Sequence, residues 1–195
     1  MHYYDCVSIP EFFSLLLEID RSIAKEAHGR RCSRCGGKLD VSNFFRSGYG
    51  LPEGRSEECL IRFSLCCRED GCRGRETPES LRFLRGKAYV SIVIVLISAL
   101  QHGLSPARVK ALTTTLKVSR QTVVNWLKWW RDLFPSTPFW QAMRAQFMPP
   151  LAIERLPQSL LERFAAEAMT DRLTQALRWI APLSTRQSGC PRLAA

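Results

Sequence analysis

The chain has 195 residues, 46% of them hydrophobic and 24% charged, a composition that excludes disorder and suits one larger domain or two small ones. Twenty-eight Lys and Arg against 18 Asp and Glu give a net charge of +10. This points to a polyanionic partner, because neutralised phosphates release counterions. The longest apolar run, residues 88–100, is short of the ~20 residues that cross a bilayer, so no membrane partner is expected. Glu11, Glu18 and Asp20 interrupt the first apolar stretch and exclude a secretory leader there. A cytoplasmic, nucleoid-associated location is expected, and the eight cysteines are then better read as metal ligands than as a disulfide framework.

Residues 1–29 are expected to hold a helix from Ile9 to about Ala27. Ser8 with Glu11 three positions on forms a capping box, and Pro10 falls in the first turn, where its missing N–H costs little. Phe12, Leu15, Leu16, Ile19 and Ile23 recur at helical spacing as one apolar stripe. That stripe packs on its own domain or serves docking. Gly29 ends the helix.

Residues 30–78 change character and carry six of the eight cysteines. In Cys32-Ser-Arg-Cys35-Gly-Gly, two thiolates can reach one ion from a tight turn, and the glycines admit backbone N–H groups close to the sulfurs. A second pair about 30 residues on completes a tetrahedron in the layout of a zinc ribbon. Leu60–Leu65 reads as a strand on which Ile61, Phe63 and Leu65 alternate with Arg62 and Ser64. Continuing that alternation places Cys67 on the apolar side, so the expected zinc ligands are Cys32, Cys35, Cys67 and Cys72, with Cys66 as the alternative to Cys67. Gly71 would serve the second turn. Cys6, Cys59 and Cys190 are expected as plain small hydrophobes or exposed thiols, and His28 as a helix cap. A redox C-x-x-C would want a βαβ context that is missing.

Residues 79–134 read as a helical domain. Ala88–Gln101 is a near-continuous apolar helix, and His102-Gly103 stops it. Pro106 opens a helix to about Thr115, residues 116–119 make a turn, and Ser119 caps a second helix through Trp130. Leu112, Leu116, Val118, Val123 and Trp126 are spaced for two helices crossing steeply, with Thr113 where a small residue is wanted. Lys117 replaces the usual turn glycine. Of the net charge, residues 104–148 carry +6, from seven basic and one acidic side chain. On the second helix Arg120, Gln121 and Asn125 can discriminate bases in a major groove, and Lys128 suits a phosphate. Arg108 and Lys110 on the first helix would also hold the DNA backbone. Trp126 is expected in the core, and Trp129 and Trp130 are not expected to face inward together. Residues 135–181 are C-terminal helices, at Gln158–Ala168 and Asp171–Ile180, after breaks at Pro135–Pro138 and Pro149-Pro150. Residues 182–195 are expected as a flexible tail. The fold class is therefore mainly α with a small zinc-ribbon β element and a helix-turn-helix in the second half.

Cys32-x-x-Cys35, then Arg62-Phe63-Ser64-Leu65, Cys67 and Gly71-Cys72-Arg73-Gly74-Arg75, then Thr77-Pro78 and the segment from Leu104 to Trp130, resemble the DNA-binding region of bacterial insertion-sequence transposases. The resemblance covers roughly residues 30–133. It implies recognition of a transposon end or promoter, with ribbon and helix-turn-helix gripping adjacent duplex. Those enzymes use three carboxylates on a separate ribonuclease-H-like domain. Here Asp132, Glu154, Glu162, Glu167 and Asp171 fall on helical patterns, so the chain is expected to be a stand-alone recognition protein and not an enzyme.

Two function classes follow: a double-stranded DNA-binding targeting subunit or regulator, and an adaptor that binds a transposase or recombinase without reading DNA itself. A second copy of the chain is a further candidate partner, through the first helix or the C-terminal pair. A zinc hydrolase or deaminase would need an open metal position with a nearby Glu. None of His2, His28 and His102 sits in such an arrangement.

Overall fold

The computed structural model describes residues 9–46, 56–83, 105–116 and 119–185. The first helix, α1, spans Ile9–His28, close to the expected bounds. Its buried face is turned from the expected stripe: Phe12, Phe13, Leu16, Leu17 and Asp20 are buried, whereas Leu15 is 41% exposed. At about 100° per residue, a face centred on Leu16 and Asp20 takes in Phe13 and Leu17 and leaves Leu15 on the flank. Ile19 and Ile23 pack at its margin.

After α1 come five short strands: β1 Leu39–Val41, β2 Phe44–Phe45, β3 Ile61–Arg62, β4 Leu65–Cys67 and β5 Arg75–Glu76. All pairings are antiparallel. One sheet has the order β1-β4-β5, with Leu39 opposite Cys67 and Leu65 opposite Glu76; the other pairs β2 with β3, Phe44 opposite Arg62. The expected continuous strand over 60–65 is broken after Arg62, and its alternation is inverted: Arg62 and Ser64 are buried while Ile61 and Phe63 are half-buried. Distant partners cause this. The Arg62 guanidinium donates to the carbonyls of Pro78 and Ser184. The Ser64 N–H donates to Asn43 Oδ1, and its hydroxyl donates to the Glu76 carbonyl. The apolar phase restarts at Leu65, so Cys67 still faces inward and Cys66 does not.

A buried polar latch ties α1 to this region. Asp20 and Arg82, both fully buried, pair at 2.9 Å. Asp20 also accepts from the Leu81 N–H at 2.7 Å and from the Ser80 hydroxyl. Arg82 donates further to the carbonyls of Cys59 and Ile61 at 2.7 and 2.9 Å, and its guanidinium lies against the rings of Phe63 and Phe83. Both charges of this pair are thus hydrogen-bonded, the condition under which a buried pair is tolerated.

The second half is helical: α2 Pro106–Leu116, α3 Arg120–Lys128, α4 Pro138–Met143, α5 Gln158–Leu161 and α6 Met169–Ile180. α2 and α3 are in contact. The α-helix ends at Lys128 rather than Trp130, and residues Trp129–Leu133 form a π turn. The wider turn brings both tryptophans onto one ring, Trp130 at 4.9 Å and Trp129 at 5.5 Å from Phe134. Trp130 is fully buried and Trp129 half-buried, so the two are not divided between core and surface as expected. α5 stops at Leu161, short of the expected Ala168; Arg163 donates to the Pro149 carbonyl and Phe164 packs on Phe147, which draws the chain out of helix. The tail expected from residue 182 begins with a packed turn: Ala181–Ser184 is 3-10 helical, and the Ser184 hydroxyl accepts from the Ser80 N–H.

One apolar cluster joins Phe12 and Leu16 of α1, Val123 and Trp126 of α3, Phe134, Trp140, Leu160, and Leu173 and Ile180 of α6. The three helical segments distinguished by sequence therefore share a core, within a mainly helical fold bearing small sheets. Among the described residues no helix is long and apolar enough to cross a membrane. The apolar stretch 88–101, the Ser8 cap, positions 117 and 118 of the turn, Cys6, Cys190 and the last ten residues lie outside the described residues.

Candidate metal centre and neighbouring basic helix

Two tight turns, one after α1 and one after β4, each deliver a pair of cysteines. The first runs Cys32-Ser33-Arg34-Cys35-Gly36-Gly37. The Gly36 N–H donates back to the Cys32 carbonyl, the Cys32 N–H donates to the Gly37 carbonyl, and the Gly37 N–H approaches Cys35 Sγ at 3.4 Å. Gly36 has φ of 75°, and a Cβ on Gly37 would stand 2.4 Å from Glu69 Cγ and 3.2 Å from Cys67 Sγ. Gly36 takes the left-handed conformation without strain, and Gly37 leaves room for Glu69 and the Cys67 sulfur.

The second turn repeats the construction. The Cys67 N–H donates to the Gly74 carbonyl, as Cys32 does to Gly37. The residue after the second cysteine is again left-handed, but it is Arg73, with φ of 42°. Gly71, expected to serve this turn, has ordinary φ and open space around its Cβ position. The turn demands its left-handed residue one place after Cys72, not one before.

Cys32, Cys35, Cys67 and Cys72 come together, all four sulfurs within 4.8 Å of one another. Cys35 to Cys67 is 3.4 Å and Cys32 to Cys72 is 3.8 Å. These separations far exceed the ~2.05 Å of a disulfide. Four sulfurs about 2.3 Å from a central ion stand about 3.8 Å apart, so the four residues fit a tetrahedral metal. Leu39, Leu65 and Ala27 wall the cluster. Cys66 points elsewhere, its Sγ 3.7 Å from the Arg73 carbonyl oxygen. Among the described residues no histidine joins the group.

The thiols differ as acids before any ion is considered. Backbone N–H groups of Arg34 and Cys35 pull Cys32 down to about 7. Burial pushes Cys67 up to about 12. Cys72 is raised on balance: the Gly74 backbone bond lowers it, but Cys35 and burial outweigh that. A divalent ion is what would hold such unequal thiols together as thiolates, and its binding must release their protons.

The second candidate surface is α3. Ser119 caps it, its hydroxyl accepting from the Thr122 N–H at 3.1 Å. Val123, Trp126 and Trp130 face the core, and Arg120, Gln121, Val124, Asn125 and Lys128 face solvent. Those five positions are spaced as one helix face. Gln121 Nε2 donates to Asn125 Oδ1 at 2.9 Å, so the two amides are aligned with each other before meeting any partner. Lys110 on α2 is exposed, and the side chain of Arg108 lies outside the described residues. Two features escaped the sequence reading. Val124 adds an apolar group, 40% exposed, amid the polar ones. Residues 80–131 hold nine basic side chains and no acidic one, a signal plain in composition.

Set beside known proteins, the chain matches no family model, no curated protein and no solved structure.

Proposed function

We propose that the chain is a zinc-stabilised protein that binds double-stranded DNA by sequence, acting without catalysis of its own as a targeting subunit beside a transposase or recombinase, or as a transcriptional regulator. The observation that carries this reading is the outward face of α3, exposed, free of acidic residues and furnished with the groups that read base edges. In this reading α2 and α3 act as a helix-turn-helix, and residues 30–78 as a zinc ribbon. Arg120 pairs with guanine, Gln121 and Asn125 with adenine, and the Val124 methyls suit a thymine methyl. Lys128, Lys110 and Arg108 take phosphates and set register. The metal's part is structural, since four protein thiolates leave no open coordination position.

An alanine series on a cognate duplex tests this. Arg120→Ala, Gln121→Ala and Asn125→Ala should each cost ~1–3 kcal/mol and relax one base position. Lys110→Gln and Lys128→Gln should weaken all duplexes alike and each lower the salt slope by about one. Unchanged DNA affinity across the series, with retained binding to a recombinase, would replace the reading with that of an adaptor.

A further inference from the structure

Among the described residues Phe45 is the one aromatic ring that stands mostly in solvent, at 70% exposed. It closes β2, a two-residue strand whose only partner among the described residues is β3. Nothing in the core requires an aromatic side chain there. Its neighbour Phe44 is half-buried and carries two guanidinium groups against its ring, Arg46 at 5.3 Å and Arg75 at 5.8 Å from the centroid. Arg75 also donates to the Ser42 hydroxyl. Among the described residues neither arginine has a carboxylate partner, whereas nearby Arg68 is paired with Asp40 at 2.6 Å. Phe44 therefore holds two cations, unpaired among the described residues, beside a solvated ring.

We propose that this face is a second DNA contact, in which the Phe45 ring wedges into a base step of the duplex read by α3 and Arg46 and Arg75 take the flanking phosphates. The proposal rests on the DNA-binding reading above. The partner must offer both negative charge and flat apolar surface. An apolar protein groove would desolvate two cations without compensation, whereas a base stack edged by phosphates answers all three side chains. Apolar wedges between base steps unstack them and kink the duplex, and an arginine laid on an aromatic ring keeps its plane while it binds.

The test places 2-aminopurine at successive positions of a duplex selected by the zinc-loaded full chain, and records emission and affinity together. Wild type should raise emission at one step, where stacking is lost. Phe45→Ala should abolish that rise and weaken binding about tenfold, and Phe45→Trp should restore affinity. Arg46→Gln and Arg75→Gln should each reduce the salt slope by about one while leaving the emission rise in place. Phe45→Ala with unchanged emission and affinity overturns the proposal and leaves the α3 reading standing. Loss of self-association instead of base opening would assign the face to a second copy and also overturns it. Failure of α3 itself would appear separately, as insensitivity to Arg120→Ala.

Discussion

Replacing Arg82 by Met tests the latch that anchors α1. The substitution keeps an unbranched apolar stem and removes the guanidinium from a site where neither partner of the pair has any exposure. Asp20 would keep two neutral donors, the Ser80 hydroxyl and the Leu81 N–H, and lose its counter-charge. The carbonyls of Cys59 and Ile61 would lose their donor. Burial pulls the Arg82 guanidinium below its ordinary range against the opposing pull of Asp20, yet arginine stays charged at neutral pH. Stranding a buried charge costs ~3–5 kcal/mol, and the loss of the bond to the Ile61 carbonyl adds about 1. The expected loss of roughly 5 kcal/mol is comparable with the total stability of an ordinary domain, ~5–15 kcal/mol. Urea unfolding followed by tryptophan emission reads it out, since Trp130 and Trp140 are buried in the main core. Replacing both partners, as Asp20→Leu with Arg82→Met, should recover much of the loss, because an apolar pair strands no charge. A cost below about 1 kcal/mol for Arg82→Met alone would refute the reasoning.

Other substitutions probe the two cysteine turns and α3. Cys67→Ser should abolish stoichiometric metal retention through gel filtration, whereas Cys66→Ser should leave it intact; equal loss from both would show the ligand set is wrong. Arg73→Gly should stabilise the metal-loaded protein by about 0.5–1 kcal/mol in chemical denaturation, the relief of a left-handed residue less the added unfolded-state freedom of glycine. Gly37→Ala should do the opposite and raise the metal dissociation rate, because the new methyl meets Glu69 and Cys67 Sγ. Ser119→Ala removes the bond from the Thr122 N–H and should cost about 1 kcal/mol of stability. Amide exchange at the start of α3 would localise the effect, and unaltered protection there would count against the cap.

Legibility in the sequence tracked how local each determinant is. The convergence of the four cysteines was readable because two residues separate Cys32 from Cys35 and four separate Cys67 from Cys72, so each turn is specified within itself. The choice of Cys67 over Cys66 came from an alternation that holds only from Leu65 onward. Upstream the phase is reversed, because Arg62 and Ser64 are drawn inward by Pro78, Ser184, Asn43 and Glu76. No local pattern announces partners up to 122 residues away. The burial of Asp20 was hidden for the same reason, since its partner Arg82 lies 62 residues away. The π turn at Trp129 was hidden because helical periodicity assumes constant pitch, and the pitch changes there to seat two indoles on Phe134. Ser119 and the outward side chains of α3 were readable, since capping and helix faces are local properties.

Sequencing of duplexes retained from a randomised pool by the zinc-loaded full chain, at low and moderate salt, bears most directly on whether α3 reads DNA. The account predicts convergence on one motif that Arg120→Ala/Asn125→Ala no longer selects, and weaker retention as salt rises. A pool that stays random, or a motif selected equally by the double variant, would contradict it.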